Sequence, residues 1–202
     1  MGMPSDPFPL DRSTLHLCID MQRLFAEETP WQVPWLPRIL PCVLEIAHRH
    51  AGRTVFTRFM PPETADEAVG AWRDYYVHWS ELTRGQITPR LLELVDPLAA
   101  LIPPARVIDK PANSAFTRPT LARALRARGI TTLVITGGET DICVLATVMA
   151  AVDLGFRIVL PTDALCSTHD GTHDALLKLY RERFSLQIEA TTTEDVLRRW
   201  YI

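Results

Sequence analysis

Short runs of aliphatic and β-branched residues alternate along the chain with longer segments in which apolar residues recur every three or four positions. Runs of the first kind predict six β-strands, at residues 14–19, 53–59, 105–109, 131–137, 156–161 and 184–190. Segments of the second kind predict helices at residues 35–51, 117–129, 140–155 and 168–183. Because the strands are almost continuously apolar, they fit a parallel sheet covered by helices on both faces. The pattern therefore predicts a doubly wound α/β fold, with its functional site at the carboxyl ends of the strands.

Two segments interrupt this alternation. A loop rich in Pro and Trp follows the first strand at residues 26–37, and a longer excursion at residues 60–97 separates the second strand from the third. The excursion carries Trp72 and Trp79 within a helical pattern. Such side chains can line a pocket, but packing against the sheet is their commoner role and is the role expected for this stretch.

Composition narrows the class of protein. The 202 residues are 47% hydrophobic with a formal net charge of −3, which suits one domain, expected at residues 13–202 after an N-terminal extension at residues 1–12. A nearly neutral chain without a basic run is not expected to bind nucleic acid or a membrane. The four cysteines show no C-x-x-C spacing, and the N-terminus lacks the apolar core of a signal peptide. These features predict a cytoplasmic protein without disulfides.

Three chemically reactive side chains follow strands that should end at the same edge of the sheet. Asp20 follows the first strand, Lys110 follows the third, and Cys143 opens the helix after the fourth. Alone, each has an ordinary interpretation, as a turn carboxylate, a solvated lysine and an inert core thiol. Together they could form a nucleophilic site, and the helix dipole would be expected to lower the pKa of Cys143.

The segments around these residues carry a family resemblance. "CIDMQRLF", "KPANSAF" and "TGGETDICVLATVMAAVDLGFRIVLPTDALCS" resemble, in order, the signature segments of the isochorismatase-like cysteine hydrolase superfamily. The resemblance implies a three-layer α/β/α sandwich around a six-stranded parallel sheet, and a catalytic triad of Asp20, Lys110 and Cys143. It also implies a cis peptide bond at Gly138–Glu139, with the backbone N–H groups of Glu139 and Cys143 as oxyanion donors.

The resemblance bears on metals and on the bond that is cleaved. Nicotinamidases of this superfamily bind a metal through an Asp-x-His motif and a further His, whereas this chain reads "FTRFMPPE" after its second strand. His169 and His173 are spaced for zinc but have no third ligand nearby in the sequence, so neither a metal nor another cofactor is predicted. Isochorismatases proper cleave a vinyl ether by chemistry that needs only the acid. The presence of Cys143 therefore favours cleavage of a C–N bond in a small amide, carbamoyl or ureido compound.

Two other functions stay open, an ether hydrolase of isochorismatase type and a non-catalytic binding protein with the same fold. The partner is expected to be a small molecule, and the family resemblance implies a homo-oligomer, a dimer or tetramer, for which the C-terminal "VLRRWYI" offers one possible surface. Arg58 could hold a substrate carboxylate or pair with a nearby acid such as Glu63. The candidate substrate-binding residues are Gln22, Phe25, Arg58, Trp72, Asn113 and Phe116.

Overall fold

Seven parallel strands form the centre of the structure, a computed structural model that describes residues 7–201. They are β1 (Thr14–Ile19), β2 (Thr54–Phe59), β3 (Arg106–Lys110), β4 (Thr132–Gly138), β5 (Arg157–Pro161), β6 (Leu165–Cys166) and β7 (Ile188–Thr191). The strand order is β3-β2-β1-β4-β5-β7, and β6 pairs with the end of β4. Strand order reverses between β1 and β4, which is where a doubly wound sheet opens a crevice at the carboxyl ends of its strands.

The sequence prediction of six strands was wrong by one. The additional strand, β6, consists of Leu165 and Cys166 beside Gly137 and Gly138, and a run of two residues is too short to stand out in a hydrophobic pattern. The last strand also begins later than predicted, at Ile188 rather than at residue 184. The backbone N–H of Gln187 donates to the carbonyl of Phe184 at 2.8 Å, so the chain turns there before it becomes extended.

Eight α-helices connect and cover the strands of the described residues. They are α1 (Arg23–Ala26), α2 (Leu36–Arg49), α3 (Ala71–His78), α4 (Asp96–Ala99), α5 (Pro119–Ala127), α6 (Leu145–Asp153), α7 (Asp170–Arg183) and α8 (Thr193–Arg199). Four of them, α2, α5, α6 and α7, correspond to predicted helical segments. The helix α8 was not predicted; it begins after Thr192, whose hydroxyl accepts a hydrogen bond from the Asp195 N–H at 3.2 Å.

Alternate side chains of the central strands enter different hydrophobic cores, which produces three layers. On one face Leu17 of β1 and Ile135 of β4 pack with residues of α5, α6 and α7. On the other face Cys18 of β1 packs with α2 and α4, and Val134 of β4 packs with α8. Side chains successive along a strand point to opposite faces, so a sheet covered on both faces needs an apolar residue at nearly every strand position. The predicted α/β/α architecture is confirmed.

Both ends of the described chain pack on one face of the sheet. Leu10 is buried in the core formed with α8, although it belongs to the predicted N-terminal extension. Trp200 is also buried there, and its ring stacks on that of His50 at a centroid distance of 3.8 Å. Trp200 therefore packs on its own chain whereas Tyr201 is exposed, and the predicted homo-oligomer stays a prediction. None of the helices within residues 7–201 combines the length and the apolar character required to traverse a bilayer.

The end of β4 requires glycine at position 137. Gly137 has φ +103°, and a Cβ atom there would lie 2.1 Å from the carbonyl oxygen of Ile19 on β1. We expect Gly137→Ala to lower the free energy of unfolding by about 3 kcal/mol or more, because an unfavourable backbone conformation and a backbone clash add together. Urea denaturation followed by circular dichroism measures the change.

Gly155→Ala is the matched control for that substitution. Gly155 also has positive φ, +85°, but among residues 7–201, its own chain neighbours aside, no atom lies within 4 Å of the position its Cβ would take. We expect this variant to lose only about 1 to 2 kcal/mol. Equal losses in the two variants would contradict the close approach of β1 and β4 at position 137.

Candidate active site

Asp20 lies directly after β1, where the backbone turns away from the sheet. Its φ of +49° is in the left-handed region, which is uncommon for a residue other than glycine and marks a constrained position. The hydroxyl of Thr57 on β2 donates to Asp20 Oδ1 at 2.5 Å and accepts from the Asp20 N–H at 3.1 Å. Both residues are buried. The second strand therefore fixes the carboxylate at the end of the first.

Lys110 is the last residue of β3, and its side chain is as buried as that of Asp20. Its Nζ lies 2.6 Å from Asp20 Oδ2, 3.0 Å from the carbonyl oxygen of Ala112 and 3.5 Å from Cys143 Sγ. The ammonium group therefore forms an ion pair with the carboxylate and donates hydrogen bonds to the carbonyl and the sulfur. Burial opposes the charged form, but the Asp20 carboxylate and the Cys143 sulfur outweigh it and hold the pKa of Lys110 above its ordinary value.

Cys143 lies in a π-helical turn, Thr140–Val144, that leads into α6. Its side chain is buried, and its Sγ is 4.0 Å from Asn113 Oδ1. Burial raises the pKa of the thiol, the Asp20 carboxylate raises it further, and Lys110 only partly opposes them. The expectation that the helix dipole lowers this pKa was wrong for the resting protein, because desolvation in the crevice exceeds the effect of one helix end. The thiol is therefore protonated at neutral pH.

The turn before Cys143 is held by its own polar side chains. Glu139 accepts hydrogen bonds from the N–H and hydroxyl of Thr168, the N–H at 2.8 Å, and Asp141 accepts from Ser167 Oγ at 2.5 Å. The peptide bond between Gly138 and Glu139 is cis. Glu139 and Cys143, whose N–H groups are the predicted oxyanion donors, both line the cavity described next.

Asp20 and Cys143 line a cavity of about 230 Å³, and Lys110 contacts both of them from outside its lining. Its walls are mostly apolar and aromatic. The lining residues are Asp20, Phe25, Trp31, Val33, Leu36, Phe59, Trp72, Tyr75, Trp79, Asn113, Gly138, Glu139, Ile142 and Cys143. Ile142 and Tyr75 are partly exposed and mark the side open to solvent. A cavity of this size suits a small molecule.

Three of the six candidate substrate-binding residues, Phe25, Trp72 and Asn113, line the cavity. Gln22 does not, because its side chain is fully buried in a structural role. Its Oε1 accepts from the Phe59 N–H at 2.6 Å, and its Nε2 donates to the carbonyls of Phe59 and Leu92 at 3.1 and 2.9 Å.

Arg58 and Phe116 also lie outside the cavity lining. The guanidinium of Arg58 binds Asp109 through Nε at 2.8 Å and through Nη2 at 3.1 Å, and its Nη1 binds Glu93 at 2.8 Å. The expected alternative partner, Glu63, lies instead near Arg84, at 3.8 Å. Phe116 stacks on Phe156 at a centroid distance of 5.8 Å and packs against the hydrophobic core.

Sequence reasoning missed the aromatic wall of the cavity. Trp31 is its centre, with ring centroids of Phe25, Phe59, Tyr75 and Trp79 at 5.9 to 6.4 Å. The expectation that the aromatic residues of 60–97 pack against the sheet was wrong for those that line the cavity. One feature of the sequence could have predicted this wall: both segments that interrupt the strand–helix alternation are rich in Trp.

The residues around the triad do not fit a metal ion. The carboxylates in the cavity lining are those of Asp20 and Glu139, and each has close partners of its own. His173 lies elsewhere, with Nδ1 2.8 Å from Thr140 Oγ1, and His169 is the residue before α7. Across residues 7–201 no three His, Cys, Asp or Glu side chains are grouped as a metal site would need.

Comparison with known proteins identifies the family. The model of the isochorismatase domain matches residues 14–195, so the chain belongs to the isochorismatase family and is a hydrolase of that family. Maleamate amidohydrolase of Pseudomonas putida is 30% identical over 120 residues, which are 59% of this chain and 54% of that protein. Nicotinamidase 3 of Arabidopsis thaliana is 26% identical over 184 residues, 91% of this chain and 86% of that protein. The chain thus matches about half the length of the first relative and most of the second.

Solved structures show the same fold. A cysteine hydrolase from Pseudomonas syringae superposes with a TM-score of 0.81 at 25% identity, covering 99% of this chain and 98% of that one. A pyrazinamidase of Pyrococcus horikoshii, solved in complex with zinc, superposes with a TM-score of 0.68 at 25% identity, covering 89% and 99%.

The protonation state of Cys143 can be measured by alkylation with iodoacetamide. Because its pKa is raised, we expect the rate at Cys143 to be low at neutral pH and to keep rising into the alkaline range. In Asp20→Asn the rate at neutral pH should increase severalfold, because the neighbouring negative charge is lost while Lys110 remains. Peptide mass spectrometry after timed quenching reports the rate at each cysteine.

Asp109→Asn is the control for that experiment, since Asp109 binds Arg58 and is not a cavity-lining residue. It should leave the alkylation profile of Cys143 unchanged. A wild-type rate that is already at its plateau near neutral pH would contradict a protonated resting thiol.

Proposed function

We propose that this protein is a metal-independent cysteine hydrolase that cleaves a C–N bond of a small amide, carbamoyl or ureido compound through a thioester. One observation carries the proposal. Lys110 Nζ contacts both Asp20 Oδ2, at 2.6 Å, and Cys143 Sγ, at 3.5 Å, and these two partners line a mostly apolar cavity. A nucleophile, a base and a cation that stabilises both are thereby brought to one point.

The charge balance of the triad supports Asp20 as the base. In the resting site the carboxylate and the ammonium compensate each other, and the thiol is neutral. When Sγ attacks, its proton passes to Asp20, and Lys110 remains beside both groups to stabilise the sulfur as it loses that proton. The number of buried charges stays the same during the transfer, which keeps the desolvation penalty low in this apolar cavity.

The reaction follows in two balanced stages. A C–S bond forms between Cys143 and the substrate carbonyl, and the N–H groups of Glu139 and Cys143 stabilise the oxyanion. The C–N bond then breaks, and Asp20 returns its proton to the leaving amine or ammonia. Water attacks the thioester with Asp20 as base, a C–O bond forms, the C–S bond breaks, and the proton returns to Sγ. An amide gives a carboxylic acid and an amine or ammonia. A carbamoyl or ureido compound gives its leaving amine and carbamic acid, which breaks down to carbon dioxide and ammonia.

The relatives support cleavage of a C–N bond. Maleamate amidohydrolase and nicotinamidase 3 are both named for amide substrates, and the structural neighbour from Pseudomonas syringae is named a cysteine hydrolase. An ether hydrolase would need only Asp20 as an acid and would leave Cys143 without a chemical role. A thioester on Cys143 therefore separates the two functions.

Replacing the nucleophile tests the proposal. We expect Cys143→Ala to lower kcat for every amide that the wild type hydrolyses by about 10³-fold or more, because a covalent route cannot form without the sulfur. The measurement is ammonia release from a panel of simple primary amides, carbamates and ureas. Unfolding in urea should change little, since alanine is tolerated in a helical turn.

Cys42→Ala is the matched control. Cys42 is a half-buried cysteine of α2 that is not a cavity-lining residue, so its replacement should leave turnover unchanged. Turnover that survives in Cys143→Ala within about tenfold of the wild type would rule out the covalent route and favour acid catalysis by Asp20.

A further inference from the structure

We propose that the cavity selects uncharged amides with a compact apolar acyl group and rejects amides that carry a second carboxylate. This selectivity rests on the proposed hydrolase function and names its substrate class. Two features carry it: an aromatic wall centred on Trp31, and the lack of a cation available to a substrate among the lining residues. Maleamate bears a free carboxylate, so the proposal separates this chain from the maleamate amidohydrolase relative.

The wall offers apolar surface rather than polar contacts. Trp31 packs edge-to-face on Phe59 and Trp79 and stacked on Phe25 and Tyr75, so the rings support one another as a continuous surface. Val33, Leu36 and Ile142 extend this surface. Binding of an acyl group against this wall is favourable because it buries hydrocarbon surface. A flat or branched group fits best against the rings.

The ionisable groups facing the cavity disfavour an anion. Within the part of the chain that the structure describes, no Lys, Arg or His belongs to the lining, whereas the carboxyl groups of Asp20 and Glu139 do. Lys110 is not a lining residue, and it is already engaged by its ion pair with Asp20 and by its hydrogen bonds to Ala112 and Cys143. A substrate carboxylate would lose its hydration without gaining a cationic partner from the lining residues, which is costly.

The cation predicted to hold a substrate carboxylate is already bound elsewhere. Arg58, at the end of β2, forms a bidentate pair with Asp109 and a further bond to Glu93. Turning it toward the cavity would break three charge-assisted hydrogen bonds.

The polar part of the substrate has a neutral partner. Asn113 Oδ1 lies 4.0 Å from Cys143 Sγ, close to where the scissile carboxamide must lie for attack. An uncharged amide side chain can donate to and accept from a carboxamide without requiring a charge on the substrate. The cavity volume of about 230 Å³ lies below the range usual for drug-sized ligands and therefore favours a compact acyl group.

Three primary amides of equal size and shape test this selectivity. They are 4-methylpentanamide, succinamate and 3-amidinopropanamide, which end in an isopropyl group, a carboxylate and an amidinium. Binding is measured with the Cys143→Ala variant by tryptophan fluorescence, because Trp31, Trp72 and Trp79 line the cavity. Turnover of the same compounds by the wild type is measured by ammonia release.

We expect 4-methylpentanamide to bind more tightly than succinamate by about 100-fold or more, and more tightly than the amidinium compound. The kcat/KM values of the wild type should follow the same order. Binding of succinamate as tight as that of 4-methylpentanamide would overturn the proposal. Preference for the amidinium compound would also overturn it, in favour of a cation-selective aromatic site.

A charge introduced at the rim provides a second test. Ile142 is 43% exposed and lines the cavity, so an arginine there can reach the substrate without being fully buried. Ile142→Arg should shift the preference toward succinamate by about tenfold or more, while the uncharged control Ile142→Met should not. An unchanged preference in Ile142→Arg would count against charge as the basis of selection.

The design separates failure of the inference from failure of the proposed hydrolase function. If 4-methylpentanamide binds selectively to Cys143→Ala but the wild type releases no ammonia from it, the selectivity stands and the hydrolase function fails. If the wild type hydrolyses amides but prefers succinamate, the hydrolase function stands and the selectivity fails.

Discussion

A buried ion pair between Asp20 and Lys110 determines how the candidate site is built. The two residues end β1 and β3, which are not neighbours in the sheet, and β2 lies between them and contributes Thr57 to the same carboxylate. Two charges removed from water are destabilising unless each has close partners, and the carboxylate and ammonium satisfy that condition for each other. The pair also holds Lys110 Nζ within 3.5 Å of Cys143 Sγ, so one interaction orients both the base and the nucleophile.

The same pair explains the resting state of the thiol. With its positive charge already compensated by Asp20, Lys110 cannot stabilise a thiolate strongly, and burial keeps the pKa of Cys143 raised. In the resting site, Cys143 is therefore a neutral thiol beside the Asp20 carboxylate. In the proposed mechanism, proton transfer during attack creates a thiolate only when a substrate carbonyl is present. The compensated charge also leaves the cavity without an available cation, which links the geometry of the triad to the kind of substrate that the cavity can hold.

The strands and the triad could be predicted because their signals are local. Apolar runs mark the core strands, and Asp20, Lys110 and Cys143 stand at a strand end or within a few residues after one, so a parallel topology places them at one edge. The shape of the cavity could not be predicted in that way. Trp31 and Tyr75 are in contact because the two segments that interrupt the strand–helix alternation, residues 26–37 and 60–97, come together in the folded chain. Contacts between segments so distant in sequence leave no periodic pattern.

Long-range ion pairing explains the other differences. Arg58 looks like a substrate ligand from its position at a strand end, but the adjacent strand supplies Asp109 in register with it. The pKa of Cys143 likewise depends on how deeply the folded chain buries the thiol. The position of the residue in the sequence does not predict that burial. Local sequence therefore indicated which residues could react, whereas their charge states follow from packing.

The central claim is that Cys143 forms a covalent bond to the substrate carbonyl. Its most direct test is rapid acid quenching of the wild-type protein during turnover of an amide, followed by mass measurement of the peptide that contains Cys143. We predict a mass increase equal to that of the acyl group on this peptide. Hydroxylamine should remove the added group, as it removes an acyl group from a thioester. Turnover of the amide with no acylated Cys143 at any quench time, including under conditions that slow hydrolysis of the thioester, would contradict it.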